Sequence, residues 1–140
     1  MSGDAHPVRL LVVSHVLPYP GSSGQQLRVR YTLEAAARQF QVDFLTFAMP
    51  EERETVAAQV EAFGCHPIVL ASSESRSGFS RIAQSLRAAL FVLWTGLKKS
   101  NYFIGKAELS PSRIRSAVNT GDYDAVLYEY FHAVDSVALF

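Results

Sequence analysis

Apolar residues occur along this chain in two patterns, short unbroken runs and longer stretches at helical intervals, and the two alternate. Val8–Ser14 (VRLLVVS) is nearly continuous in Val and Leu, as expected of a strand covered on both faces in a parallel sheet, and it is expected to be the first and central one. The following HVLPYPGSSG holds two prolines, two glycines and two serines, a density that only a loop accommodates. Ser23 and Gln26 then stand at capping-box spacing, and Val29, Leu33, Ala36, Ala37 and Phe40 recur at helical intervals. This predicts a helix that starts at Gly24 and buries that stripe.

The alternation continues. Val42–Ala48 (VDFLTFA), β-branched and aromatic with Asp43 near its start, predicts a second strand. Pro50 suits the first helical position, Glu51, Glu52 and Glu54 suit the positive end of the dipole, and Val56, Val60 and Phe63 form the stripe that ends at Gly64. Pro67–Ala71 predicts a third strand and Ser72–Gly78 a polar loop. Phe79, Ile82, Ala83, Leu86, Leu90, Leu93, Trp94 and Leu97 keep helical spacing, while Ala88, Phe91, Val92 and Thr95 widen the apolar arc. Ser110 and Pro111 read as an N-cap and first helical residue, with Ile114, Ala117 and Val118 as the buried face and Gly121 as the closing residue. Ala125–Phe131 (AVLYEYF) predicts a fourth strand, and His132–Phe140 the opening of a helix whose apolar pattern is unfinished at Phe140, so a truncated domain is expected. The whole order implies an α/β fold with a parallel sheet, right-handed crossovers and helices on both faces.

Composition bounds what such a fold can do. A chain of 140 residues makes one domain, and 49% apolar residues against 19% charged give it a real core, which excludes a disordered tail. Thirteen basic residues balance thirteen acidic ones, leaving no excess charge to grip a nucleic-acid backbone, so no nucleic-acid partner is expected. The single cysteine, Cys65, excludes an internal disulfide and a multi-cysteine zinc site and fits a reducing compartment; no metal site and a cytoplasmic location are expected. Met1–Pro7 is polar with no basic flank of the secretory kind, and Ala88–Leu97 is about half of the ~20 residues a membrane-spanning helix needs.

Chemistry is most readily placed at the loop after the first strand. There Gly21 and Gly24 give backbone room beside a helix N-terminus, which suits a phosphate or another anion. Glycines that merely let the chain turn are the plainer reading. The loop is neither G-x-G-x-x-G nor a P-loop, so a dinucleotide or ATP/GTP site has no motif support. His132, at the end of the fourth strand, and His15, after the first, occupy the places where α/β folds put functional groups. Histidine can donate a hydrogen bond when neutral and offset phosphate charge when protonated; at either position a structural role is the other reading. His6 and His66 are expected to cap or to face solvent. Glu129, between Tyr128 and Tyr130, is either a hydrogen-bonded edge residue or a carboxylate facing the cleft.

The succession VVSHVLPYPGSSGQQLRVRYTLEAAARQFQVDFLTFA resembles the start of bacterial family-four glycosyltransferases, which have the two-Rossmann-domain GT-B architecture, and most of all the sugar transferases of exopolysaccharide systems. Pro18, Tyr19, Pro20, Gly24, Arg28 and Leu45–Phe47 carry the likeness, and LKKSNYF and YDAVLYEYFHA resemble the middle of the same N-terminal domain. The resemblance implies a Rossmann-like, incomplete N-terminal half of a GT-B enzyme. Its activity would be retaining transfer of a sugar from a nucleotide-sugar donor to an acceptor hydroxyl in cell-surface polysaccharide or glycolipid synthesis, with no obligatory metal and no cofactor. In that family the N-terminal half holds the acceptor and its Gly-loop approaches the donor phosphate. The C-terminal half binds the nucleotide-sugar with glutamates eight positions apart, a pairing absent here, so the C-terminal Rossmann-like domain is expected to be missing and this chain alone inactive. By the same resemblance Gly24 lets backbone approach the phosphate, with Ser23 where members often have a second glycine. Arg28 becomes a charge partner in the cleft, although with Arg30 and Arg38 nearby a solvated cation is the other reading. His132 takes the catalytic post, contacting sugar or phosphate.

Charge is strongly polarised along the chain. Ser75–Ala107 holds Arg76, Arg81, Arg87, Lys98, Lys99 and Lys106 and no acid, which makes it +6 and leaves −6 for the remainder of a chain with zero net charge. Arg87, Phe91, Trp94, Lys98 and Lys99 together describe a basic, aromatic, amphipathic segment suited to an anionic membrane surface or a lipid-linked acceptor, hence a peripheral position on the inner face of the membrane. The alternative is a core face backed by ordinary solvated cations. For the whole chain, the alternative function is a stand-alone flavodoxin-like module that binds a phosphate-bearing ligand or regulates through it; a domain that only docks a partner through the basic helix is a third.

Overall fold

The computed structural model describes residues 7–72 and 108–129. In it four strands form one parallel sheet: β1 (Arg9–Ser14), β2 (Gln41–Ala48), β3 (His66–Ala71) and β4 (Ala125–Glu129), in the order β3-β2-β1-β4. β1 is therefore central, with Leu10 to Val13 paired both to Val42 through Leu45 and to Ala125 through Tyr128. Its unbroken apolar run follows from that position, because both of its faces are covered. Leu11, Val12 and Val13 are fully buried, each stabilising the fold by about 1.5–3 kcal/mol relative to exposure.

Helices cover the two faces. On one face α1 (Gly24–Ala36) and α2 (Arg53–Glu61) bury Val29, Leu33, Val56 and Val60 against Leu10, Val12, Val42 and Phe44. On the other, α3 (Pro111–Ala117) sets Ile114, followed by Val118, against Leu11, Val13 and Leu45. This is a Rossmann-like α/β fold. Among the described residues no helix is long and apolar enough to cross a membrane.

Local chemistry shifts several expected boundaries. The helix predicted from Gly24 stops at Ala36, with Ala37 as its C-cap, and Phe40 lies beyond it, 39% exposed, rather than in the buried stripe. Pro50 opens a single 3-10 turn, Pro50–Glu52, and α2 begins after it. Gly64 ends that segment with φ +77, the left-handed conformation that favours glycine. Ser110 and Pro111 hold the N-cap and first helical positions of α3 as expected, but the Ser110 hydroxyl lies 3.3 Å from that of Ser112 and makes no cap hydrogen bond, and Gly121 sits inside a 3-10 turn, Thr120–Asp122, instead of closing the helix. The predicted long helix from Phe79 to Leu97, the end of the fourth strand and the helix after it fall outside the described residues.

Two buried carboxylates join the layers. Asp43, at the amino edge of the sheet, accepts from Arg9 (3.2 Å) and Tyr123 (2.7 Å), with His66 Nδ1 at 3.3 Å, so one side chain ties β1, β2, β3 and the approach to β4. Glu108, at the foot of α3, accepts from Ser72 (3.2 Å) and from Arg113, which also reaches the Ala71 carbonyl. These polar groups are satisfied where they are buried, which is the condition for tolerating them.

Burial also fixes an alkaline limit. It pushes the Tyr128 phenol up to about 12, and the Cys65 thiol, with Asp43 adding to burial, up to about 11. Tyr123 is raised by burial first and then by its hydrogen bond to Asp43. The folded chain thus keeps these groups neutral where the unfolded chain ionises at ordinary values of 9.0 for the thiol and 10.0 for the phenols. Stability is then complete below about pH 9 and is lost as pH rises from there to about 12. Urea midpoints should fall across that window, and Tyr128→Phe should flatten the part above about pH 10; an unchanged midpoint through pH 12 would contradict the burial.

Candidate functional site

The sheet reverses direction between β1 and β4: the chain moves from β1 outward to β2 and β3, then crosses back to β1's other side. In open α/β sheets ligands bind at such a reversal, outside the carboxyl ends of the strands. At this point Ser14 and Glu129 end their strands side by side, in register.

Ser14 is fully buried, and its hydroxyl both accepts from the Val16 amide and donates to the Val16 carbonyl, each at 3.0 Å, which turns the chain over the rim. His15 lies within this turn, half-buried. Val16, Leu17 and Tyr19 pack back on the core. Gly21 then takes φ +81, the positive value this loop requires.

The capping box read from the sequence is present. Ser23 Oγ accepts from the Gln26 amide (3.3 Å), and Gln26 Oε1 accepts from the Ser22 amide (3.0 Å), the Ser22 hydroxyl (3.2 Å) and the Ser23 amide (3.3 Å). The amides of Ser22, Ser23 and Gln26 are therefore engaged within the cap, so Ser23 secures the helix start. Gly24 differs: its amide makes no hydrogen bond among the described residues, and a Cβ built on it would meet nothing within 4 Å. Backbone at the first position of α1 is thus open to approach at the end carrying the positive dipole.

Arg28 and Thr32 follow Gly24 at intervals of four along α1, placing the three on one stripe. The stripe meets Glu129. Thr32 Oγ1 donates to Glu129 Oε1 at 2.9 Å, and Arg28 Nε lies 3.2 Å from Oε2. The carboxylate side chain is 4% exposed and that of Arg28 is 67% exposed, so a buried anion anchors a cation that reaches solvent. Of the two readings open for Glu129, a hydrogen-bonded position at the rim is the one observed. Strand parity was the available signal: Val126 and Tyr128 pack toward α3, which puts Glu129 on the α1 side. Thr32 was missed because a threonine inside a helix carries no mark of a partner 97 positions away.

The structure thus brings Gly24, Ser23, Arg28 and His15 to one end of the sheet. His66 is exposed beside Asp43 at the opposite edge. His132 lies outside the described residues, as do Arg87, Phe91, Trp94, Lys98 and Lys99. Among the described residues no group of three His, Cys, Asp or Glu side chains could hold a metal ion. A shallow depression lined by Arg115 to Thr120 follows α3 on the amino side of the sheet and shares no residue with the rim.

Comparison with family models, curated proteins and solved structures finds no match for this chain.

The two loop glycines should separate on substitution. Gly21→Ala places a side chain at positive φ and should cost about 1 kcal/mol or more. Gly24→Ala should be neutral or stabilise by up to about 1 kcal/mol, since it puts a Cβ into open space at a helical position. Chemical denaturation measures both; equal losses would show that Gly24, too, is held by the fold.

Proposed function

We propose that this chain is the acceptor-side lobe of a retaining glycosyltransferase of GT-B type, and that the rim between β1 and β4 receives the phosphate-bearing part of a nucleotide-sugar donor. The observation that carries this reading is the stripe of Gly24, Arg28 and Thr32, meeting Glu129 where strand order reverses. Glycosyl transfer from a nucleotide-sugar leaves negative charge on the departing diphosphate, so groups aimed at that charge lower the barrier. An approachable helix N-terminus at Gly24 and an exposed guanidinium one turn further on are groups of that kind. His15, at the same rim, is a second donor toward phosphate or sugar oxygens, and His132 keeps the role that the resemblance gives it.

The resemblance supplies retention of anomeric configuration and the expectation of a second Rossmann-like lobe that binds most of the donor. The charge of +6 carried by Ser75–Ala107 supports a lipid-linked acceptor and a position against an anionic membrane surface.

Nuclear magnetic resonance titration tests the rim directly. Inorganic pyrophosphate and UDP-glucose should both shift the amides of residues 14–16 and 22–28. Arg28→Ala should weaken pyrophosphate binding about fivefold or more, the scale of a lost charge-assisted hydrogen bond. Gly24→Val should block binding while leaving the circular dichroism spectrum unchanged. Shifts confined to other parts of the sheet, or full affinity in both variants, would remove the rim from the function.

A further inference from the structure

Resting on the reading of the β1–β4 rim as an anion-receiving site, we propose that Glu129 is a positioning residue, which sets the Arg28 guanidinium at the rim through an ion pair to its own buried carboxylate, backed by Thr32. A carboxylate toward the carboxyl end of a parallel strand, facing a helix and almost wholly buried, is costly unless its oxygens are matched. Here one oxygen is hydrogen-bonded and the other, buried without a hydrogen bond, has the Arg28 charge beside it. Oε1 takes the Thr32 hydroxyl at 2.9 Å, which fixes the carboxylate relative to α1, and Oε2 lies 3.2 Å from Arg28 Nε. Nε is the guanidinium nitrogen nearest the main chain, so a charge contact there restrains the base of the group. The guanidinium is thereby ordered before any ligand arrives, which reduces the entropy lost when an anion binds.

The other ion pairs have a different character. Arg30 and Glu34 form an i,i+4 pair on the helix surface, Asp43 is taken up by Arg9, Tyr123 and His66 at the opposite edge, and the Arg113 held by buried Glu108 is mostly buried and spent on the Ala71 carbonyl. Glu129 links a strand end to an exposed cation at the strand-order reversal.

Two effects of Glu129 on an anion have opposite signs, and this makes the proposal decidable. If the carboxylate only neutralises Arg28, its removal tightens anion binding. If it positions Arg28, its removal weakens binding. Glu129→Gln keeps the length and an acceptor for Thr32 while removing the charge. In this variant inorganic pyrophosphate affinity should fall about three- to tenfold, with the melting temperature nearly unchanged. The 15N-detected Arg28 Nε–H signal should shift and exchange faster with water. With Arg28→Lys as background, Glu129→Gln should change affinity by less than about 1.5-fold, because its effect passes through the guanidinium. Tighter or unchanged binding in Glu129→Gln, or equal losses in both backgrounds, overturns the proposal. Should Glu129→Gln fail to fold, Thr32→Val serves instead: it loosens the carboxylate, and an Arg28 Nε–H signal identical to wild type overturns the positioning role. Wild-type protein that does not bind pyrophosphate at the rim contradicts the proposed function, and in that case the Nε–H signal alone decides the positioning.

Discussion

Strand order reverses at β1, and the rest of the molecule is arranged around that constraint. A strand paired on both edges and covered on both faces must be apolar along its length, and Leu10 to Val13 meet that demand. Its neighbours on the two sides then reach it by crossovers on opposite faces, α1 and α2 on one and α3 on the other. At the carboxyl end of β1 the turn after Ser14, the start of α1 and Glu129 of β4 therefore lie close together.

The two edges of the sheet use polar groups differently. At the amino edge Asp43 is matched by Arg9, Tyr123 and His66, and the Arg9 amide donates to Asp124 Oδ2 at 2.8 Å, so charge and hydrogen bonding are consumed in closing the structure. At the carboxyl edge Ser14 closes its own turn and Gln26 closes the cap, while Gly24 and Arg28 remain at the surface. Buried groups lie beside exposed ones there, the arrangement on which the proposed binding role rests.

Much of this was legible in the sequence because it depends on local rules. Period and punctuation place the three strands β1, β2 and β3 to within a residue or two and the helices α1 and α2 to within about a turn, and the Ser23–Gln26 spacing reveals a real cap. Alternation of strand and helix was enough to imply the parallel sheet. Conformation at single positions was less legible: both loop glycines suggest backbone freedom, yet Gly21 takes the positive φ and Gly24 is helical. Ser110 has the residue type of a cap, but its hydroxyl lies beside Ser112. The pairing of Thr32 and Arg28 with Glu129 was not legible, because it arises only when α1 packs across β1 toward β4.

If, as proposed, this rim receives a diphosphate, a crystal structure of the chain soaked with UDP-glucose should show diphosphate density within hydrogen-bonding distance of the Gly24 amide and the Arg28 guanidinium, with Glu129 still against Arg28. Well-ordered diphosphate at another face of the sheet, with the rim unchanged, would contradict the proposal.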